Sequence, residues 1–218
     1  MKQTLHIAIF AKAPLPGQVK TRLIPLLGAE AAAQVHRQML LHALQIARSV
    51  APESVTLWTA GDHAHPFLHA AAAQHAAACY AQCEGDIGAR MADCLERLLP
   101  QGGKVLLLGS DCPAMTVDDL RTAAGALDTA QMVFMPAEDG GYVMVGACDH
   151  GGAEFAATRA AAFNNIWWST EQVMAQTRKA LARQGWREGV EWQALRSGWD
   201  IDTPDDYLRA VRAGLLTP

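Results

Sequence analysis

The chain of 218 residues has no apolar run near the roughly 20 residues that a bilayer-spanning helix needs, so a helical membrane protein is excluded. Charge is sparse, 18% of residues against 50% hydrophobic, which excludes a disordered composition and leaves enough apolar material for one sizeable core. A basic excess is also missing. The formal net charge is -4, and without a basic face to neutralise phosphates nucleic acid is excluded as the main partner. The five cysteines, Cys79, Cys83, Cys94, Cys112 and Cys148, are odd in number and form no C-x-x-C pair. They fit reduced thiols in a cytoplasm better than a disulfide framework. The apolar segment near the N-terminus runs into Lys12, Pro14 and Pro16 instead of a small-residue cleavage site, and is expected to be a strand. No repeat, low-complexity linker or charge block divides the chain, so one domain over residues 1–218 is expected.

What is present is organised around Lys104–Met115, KVLLLGSDCPAM. Val105 to Leu108 run without alternation, as in a strand buried on both faces of a parallel sheet. The run ends at Gly109, and Ser110, Asp111 and Pro113 follow at once. Asp111 is thereby expected just past the carboxyl end of a central strand, where open α/β sheets bind ligands. With neither Lys nor Arg beside it in sequence, it is a metal-ligand candidate. Thr116–Asp119, TVDD, reads as a capping box opening the next helix.

A first strand is expected over Leu5–Ala11, followed by KAPLPGQVKTRL from Lys12 to Leu23. The prolines exclude a helix, and Gly17 permits a tight turn or close approach to a ligand. Lys12, Lys20 and Arg22 could neutralise a di- or triphosphate while backbone N–H groups around Gly17 line it. Thr21 in this loop and Ser110 beside Asp111 complete the nucleotide-side candidates. Solvated surface cations are the alternative meaning. Val19 instead of glycine precedes Lys20, so G-x-x-x-x-G-K-[ST] is not met and a Walker-type kinase or ATPase is excluded.

Apolar positions Ala32, Val35, Met39, Ala43, Ile46 and Val50 predict a long amphipathic helix over Ala29–Val50. Ser54–Ala60 reads as a strand, Gly61–Ala78 as an alanine-rich helix, and Cys79–Cys83 as a short strand. His63, His65, His69 and His75 fall in this region, but without the compact pairs a zinc site uses. Gly85–Leu99 enters a helix with Asp86, Gly88 and Arg90 at its mouth, where a helix N-terminus could face a ligand. Gln131–Ala137 reads as a strand, and the two glycines of Glu138–Tyr142, EDGGY, suit a turn between antiparallel strands. As a site, the same letters would put Glu138 or Asp139 on a loop where Gly140 and Gly141 admit a substrate. Trp167 and Trp168 suit packing or a sugar platform. Ser169–Gln172 reads as a capping box for a helix over Thr170–Gln184, and Glu191–Leu195 as a last strand. Thr203 is read as an N-cap with Pro204 at the first helical position, and Asp205 and Asp206 complement the helix dipole. Asp200 and Asp202 precede the cap and have no such role, so they are candidates for a second acidic element.

A cationic loop with separated carboxylates is what metal-dependent nucleotide or phosphate-transfer chemistry requires, with Mg²⁺ or Mn²⁺ bridging a diphosphate. Together, FAKAPLPGQVKTRL, GSDCP, EDGGY, FNNIWWSTEQV and DIDTP resemble the GT-A-type nucleotide-diphospho-sugar transferase superfamily, from Phe10 to Asp206 in consistent order. More narrowly they resemble its bacterial branch of radical-SAM/selenodomain-associated transferases, regarded as glycosyltransferases. The resemblance implies a single-domain Rossmann-like fold, a mixed, mostly parallel α/β sheet flanked by helices. It implies a nucleotide-bearing donor at the carboxyl edge and a divalent metal at the acidic turn, here Asp111. Family glycosyltransferases commonly carry D-x-D there; this chain has Ser110-Asp111-Cys112, so the second ligand is expected from Asp202, or less readily Asp200.

The reaction implied is glycosyl transfer from a nucleotide-sugar to a small-molecule acceptor. Asp111 and Asp139 are then catalytic, and Glu138, Gly140, Gly141 and Trp168 stand on the acceptor side. Nucleotidyltransferase relatives that use an NTP and release pyrophosphate, the molybdenum-cofactor and phospholactate guanylyltransferases among them, share the basic loop and stand as the alternative. A non-catalytic nucleotide-binding domain is a third reading, and a homodimer is compatible with all three.

Overall fold

Strands that are apolar throughout must be covered on both faces, and that requirement sets the architecture. The computed structural model describes residues 4–99, 103–149 and 152–217. Strands β1 (Leu5–Lys12), β2 (Val55–Ala60), β3 (Ala78–Ala81), β4 (Lys104–Gly109), β5 (Met132–Pro136), β6 (Tyr142–Cys148) and β7 (Trp192–Ala194) form one sheet. Their order is β3-β2-β1-β4-β6-β5-β7, with β6 antiparallel to both neighbours and the other pairings parallel. The expected α/β class with a mixed, mostly parallel sheet is what the chain adopts.

Alternate side chains serve the two faces. Ile7, Ile9, Leu106, Leu108, Val133 and Met135 pack on one side against helices α2 (Ala29–Val50), α3 (Pro66–Gln74) and α5 (Val117–Ala126). Ala8, Phe10, Val105, Leu107, Phe134 and Val145 face the other side, against α4 (Ile87–Leu98) and α7 (Val173–Arg183). The remaining helices are α1 (Ile24–Leu27), α6 (Gly152–Ala161) and α8 (Pro204–Arg212). No helix among the described residues is long and apolar enough to cross a membrane.

A third, smaller cluster matters most for the site. Leu23, Ala32, Val35, Met39, Ile201, Tyr207 and Ala210 bring together the end of the basic loop, the start of α2 and the front of α8. Ile201 is 0% exposed, and burial of such a side chain contributes roughly 1.5–3 kcal/mol. Ile201 thereby anchors residues 200–202 from the apolar side.

The helix over Ala29–Val50 has the expected bounds, the capping box of Thr116 with Asp119 forms, and Thr203, expected as a simple N-cap, forms a full box with Asp206. The alanine-rich helix shrinks to α3 because Pro66 takes its first position and the His65 ring accepts from the Phe67 N–H. The box expected at Ser169–Gln172 does not form. Ser169 has φ 62°, in the left-handed region that an extended N-cap cannot occupy, and Thr170 turns its hydroxyl to the Trp167 carbonyl. α7 accordingly starts at Val173. All five cysteines are free thiols.

Thr203→Ala removes a side-chain cap in front of the helix that carries Asp202 on its leading edge. It is expected to cost about 1 kcal/mol in urea unfolding, whereas Asp205→Ala, on the exposed first turn, changes the midpoint far less.

Candidate active site

β1 connects to β2 on one side of the sheet, and β4 returns on the other side of β1. A crevice therefore opens at the carboxyl ends of β1 and β4, the topological switch point of the sheet. A cavity of about 480 Å³ lies there. Its wall takes Phe10–Lys12 from β1, Ala60 at the end of β2, Gln82 after β3, and Gly109 at the end of β4 with Ser110 and Asp111 beyond it. The basic loop adds Gln18–Arg22, helices add His36, Ile87 and Arg90, and the segment before α8 adds Asp202.

The loop reaches the cavity through a turn at Gly17, φ 81°, and through Lys20, itself left-handed at φ 48°. A one-turn 3-10 helix over Thr21–Leu23 follows, anchored by the fully buried Leu23. Lys20 Nζ lies 3.1 Å from Asp111 Oδ2 and 3.1 Å from Asp202 Oδ1. Arg22 Nη1 lies 3.4 Å from the other Asp202 oxygen. The Lys20 side chain is 5% exposed, whereas those of Asp111 and Asp202 are 42% and 45% exposed. Burial acts to lower the Lys20 pKa, but Asp111 and Asp202 outweigh it and the net shift is upward. For Asp111, burial acts to raise the pKa; Lys20 and His36 overcome it and hold the carboxyl well below the usual range.

Asp202 is 91 positions from Asp111 in sequence yet shares its cation. The backbone explains how. Gly198 bridges Ala137 beyond β5, and the Ile201 N–H donates to the Asp111 carbonyl at 3.1 Å. A side chain at Gly198 would meet Val143 Cγ2 at 2.9 Å and Met135 Cε at 3.0 Å, so only glycine lets this segment pass so close. Asp206 then accepts from the Asp202 N–H.

Lys12, Lys20, Thr21, Arg22, Ser110, Asp111 and Asp202 all line this one cavity; Gly17 shapes the loop without lining it. Glu138, Asp139, Gly140, Gly141 and Trp168 are not among the cavity-lining residues. Glu138 makes a two-pronged ion pair with Arg209, whose guanidinium lies 4.1 Å from the centre of the Trp199 ring. Asp139 Oδ1 accepts from the Gly141 N–H and closes the turn. Gly140 has φ 89°, its carbonyl accepts from the Met174 N–H, and a Cβ there would fall 2.0 Å from the Glu171 carbonyl oxygen. Trp168 meets Tyr142 edge-on and covers Gly88, where a Cβ would be 2.5 Å from its ring. Gly140 and Trp168 are thus packed against other parts of the chain, while Gly141 donates its N–H within the turn.

Asp86 caps α4 by accepting from the Ala89 N–H, which leaves Ile87 and Arg90 as that helix's contribution to the cavity. His36 was not foreseen. Its Nε2 hydrogen-bonds the Lys12 carbonyl at 3.1 Å, and Nδ1 points at Asp111 Oδ1 from 3.6 Å. The available signal was an ionisable residue inside the buried stripe of α2, between Val35 and Met39. Asp200, behind Asp202, is pushed up to about 6 by burial and by Asp139 and Asp202. Those three carboxylates share one neighbourhood.

Among the described residues no three His, Cys, Asp or Glu side chains converge as a metal-binding group. Asp111 and Asp202 do offer two carboxylates around one cation. That donor set suits Mg²⁺ or Mn²⁺ held by one or two carboxylates and completed by phosphate oxygens and water.

The sheet order and its cavity define an α/β fold of the kind found in nucleotide-diphospho-sugar transferases and nucleotidyltransferases. A provisionally named nucleotide-diphospho-sugar transferase from Desulfovibrio desulfuricans matches over 91% of this chain and 82% of its own, at 27% identity and TM-score 0.75. A 4-diphosphocytidyl-2C-methyl-D-erythritol synthase from Anaerococcus prevotii matches over 97% and 99%, at 11% identity and TM-score 0.60. A Mycobacterium tuberculosis protein solved in complex with manganese matches over 97% and 100%, at 19% identity and TM-score 0.56. No curated protein matches. Residues 43–170, more than half the chain, match the family described as uncharacterized protein conserved in bacteria (DUF2064), and the chain belongs to that family.

Two outcomes follow from the geometry. Gly140→Ala combines a left-handed backbone with a backbone clash and is expected to destabilise the fold by about 2–4 kcal/mol in urea unfolding. Asp200 is an acid whose pKa rises on folding, so stability falls as pH climbs from about 4 through the folded value and then levels. Asp200→Asn is expected to be the more stable protein at pH 8, by about 1 kcal/mol after allowance for solvent screening. The advantage disappears at pH 4 when melting curves are compared.

Proposed function

We propose that this chain is a divalent-metal-dependent transferase that takes a nucleotide-diphosphate-activated donor, a nucleotide-sugar in the first instance, and passes its group to a small acceptor. The observation that carries the reading is the convergence of Lys20, Arg22, Asp111 and Asp202 in one cavity at the switch point of the sheet. Likeness to a structure named as a nucleotide-diphospho-sugar transferase supports the donor class, and the manganese complex of a fold relative supports the metal.

In this reading the base and ribose lie toward Phe10, Ala60, Gln82 and Arg90, and the diphosphate lies toward Lys20, Thr21 and Arg22. Asp111 and Asp202 would hold the metal, which when bound neutralises charge on the leaving diphosphate. Lys20 and Arg22 stabilise the same charge as it builds. Ser110 donates its hydroxyl to Asp111 Oδ1 at 3.3 Å and steadies that carboxylate. Asp139, next to Asp200 on the β5–β6 side, is assigned to the acceptor as positioning group or base.

A second reading is nucleotidyl transfer from an NTP with release of pyrophosphate. The likeness to a diphosphocytidyl-forming synthase and the absence of a D-x-D pair at Ser110–Cys112 favour it. Incubation with Mn²⁺ and UDP-, GDP- or dTDP-sugars, and separately with NTPs, decides between the two. Release of sugar and nucleoside diphosphate without pyrophosphate from NTPs is the expected result, and pyrophosphate release alone reverses the order of the readings. Asp111→Asn is expected to lower turnover by roughly 100-fold or more while the protein still melts cooperatively. Unchanged turnover in that variant would remove the assignment.

A further inference from the structure

Lys20 does something the transferase reading does not require. We propose that in the free protein its ammonium holds the cation position between Asp111 and Asp202, so that a divalent ion enters only when a phosphate draws Lys20 away. The inference rests on the assignment of those two carboxylates as a metal site under the proposed function.

Geometry comes first. One nitrogen stands 3.1 Å from an oxygen of each carboxylate, at the place where an ion shared by the two would sit. Metal–oxygen distances for Mg²⁺ are near 2.1 Å, so an ammonium and a metal ion cannot both occupy that gap. Electrostatics comes second. Lys20 and Arg22 face Asp111 and Asp202, so each of these two carboxylates already has a cation against it before a dication arrives. Third, Lys20 is not a side chain that drifts. It is 5% exposed, stands at φ 48° in the left-handed region, and leads into a helical turn whose Leu23 is fully buried. A polyphosphate in the cavity changes the balance, because it offers both cations another anionic partner and supplies the oxygens the metal still lacks. Lys20 is then a positioning residue that couples metal entry to substrate arrival.

Free Mn²⁺, read by electron paramagnetic resonance during titration with protein alone, tests this without reference to turnover. Lys20→Met is expected to take up one Mn²⁺ per chain at least about tenfold more tightly than the wild type. Lys20→Arg, which keeps a cation there, should follow the wild type, and Asp111→Asn added to Lys20→Met should remove the gain. Equal uptake by wild type and Lys20→Met, or no uptake by Lys20→Met, overturns the proposal.

Should the methionine variant fail to melt cooperatively, the wild type decides by thermal shift. Mn²⁺ alone is expected to leave its melting temperature unchanged, while Mn²⁺ with a nucleoside diphosphate raises it beyond the diphosphate alone; a full shift with Mn²⁺ alone overturns the proposal. The two readings fail separately. Mn²⁺ uptake by Lys20→Met with no wild-type response to UDP, GDP, dTDP or any NTP overturns the nucleotide assignment and leaves Lys20 as place-holder. Nucleotide-driven shifts with equal Mn²⁺ uptake by wild type and variant do the reverse.

Discussion

Burying an ammonium is costly unless it is paired and hydrogen-bonded, and Lys20 is buried almost completely. Its two carboxylate partners offset that cost, and each arrives from a different part of the chain. Asp111 comes from the turn after β4, Asp202 from the segment before α8, and Lys20 from the loop after β1. Three elements separated by about 90 residues at each step must close on one point. Much of the remaining structure can be understood as what makes that closure hold.

The sheet supplies the first part. β1 and β4 are hydrogen-bonded neighbours with Ile9 beside Leu108 and Phe10 beside Gly109, so their carboxyl ends leave the sheet side by side. The third apolar cluster supplies the second, because Leu23, two residues beyond Arg22's neighbour Thr21, and Ile201, next to Asp202, are buried in the same group of side chains. Ionic geometry is thus fixed by apolar packing one residue away from the charges. Ion pairs alone, half of them open to water, would contribute too little to position a loop.

Much of this was legible in the sequence because it follows local rules. An unalternating apolar run ending in glycine located Asp111, and a threonine-proline cap set Asp202 apart from the first-turn acids, of which Asp206 closes the cap and holds the Asp202 N–H. Side chains whose meaning depends on what lies across the fold were not legible. Gly140 and Trp168 carry the letters of a substrate loop and a sugar platform, yet Glu171 and Gly88 occupy the space they face. His36 was hidden by the regularity of α2, since a histidine in an apolar stripe is silent until its partner Asp111 is known. The missing box at Ser169 shows the same limit: the spacing was right, and a left-handed backbone made it irrelevant.

The separation of the two carboxylates also bears on how the site can work. In a D-x-D turn both acids belong to one loop, and their spacing is set by local backbone. Here one acid stands on each of two elements joined through the Ile201–Asp111 backbone hydrogen bond and the close pass at Gly198. The gap between them is therefore set by tertiary packing and not by the backbone of a single turn. Across that gap a single ammonium contacts an oxygen of each acid at 3.1 Å. Because Ile201 and Leu23 share a buried cluster, the segment that carries Asp202 and the loop that carries Lys20 and Arg22 are packed against one another, and the position of each depends on the other.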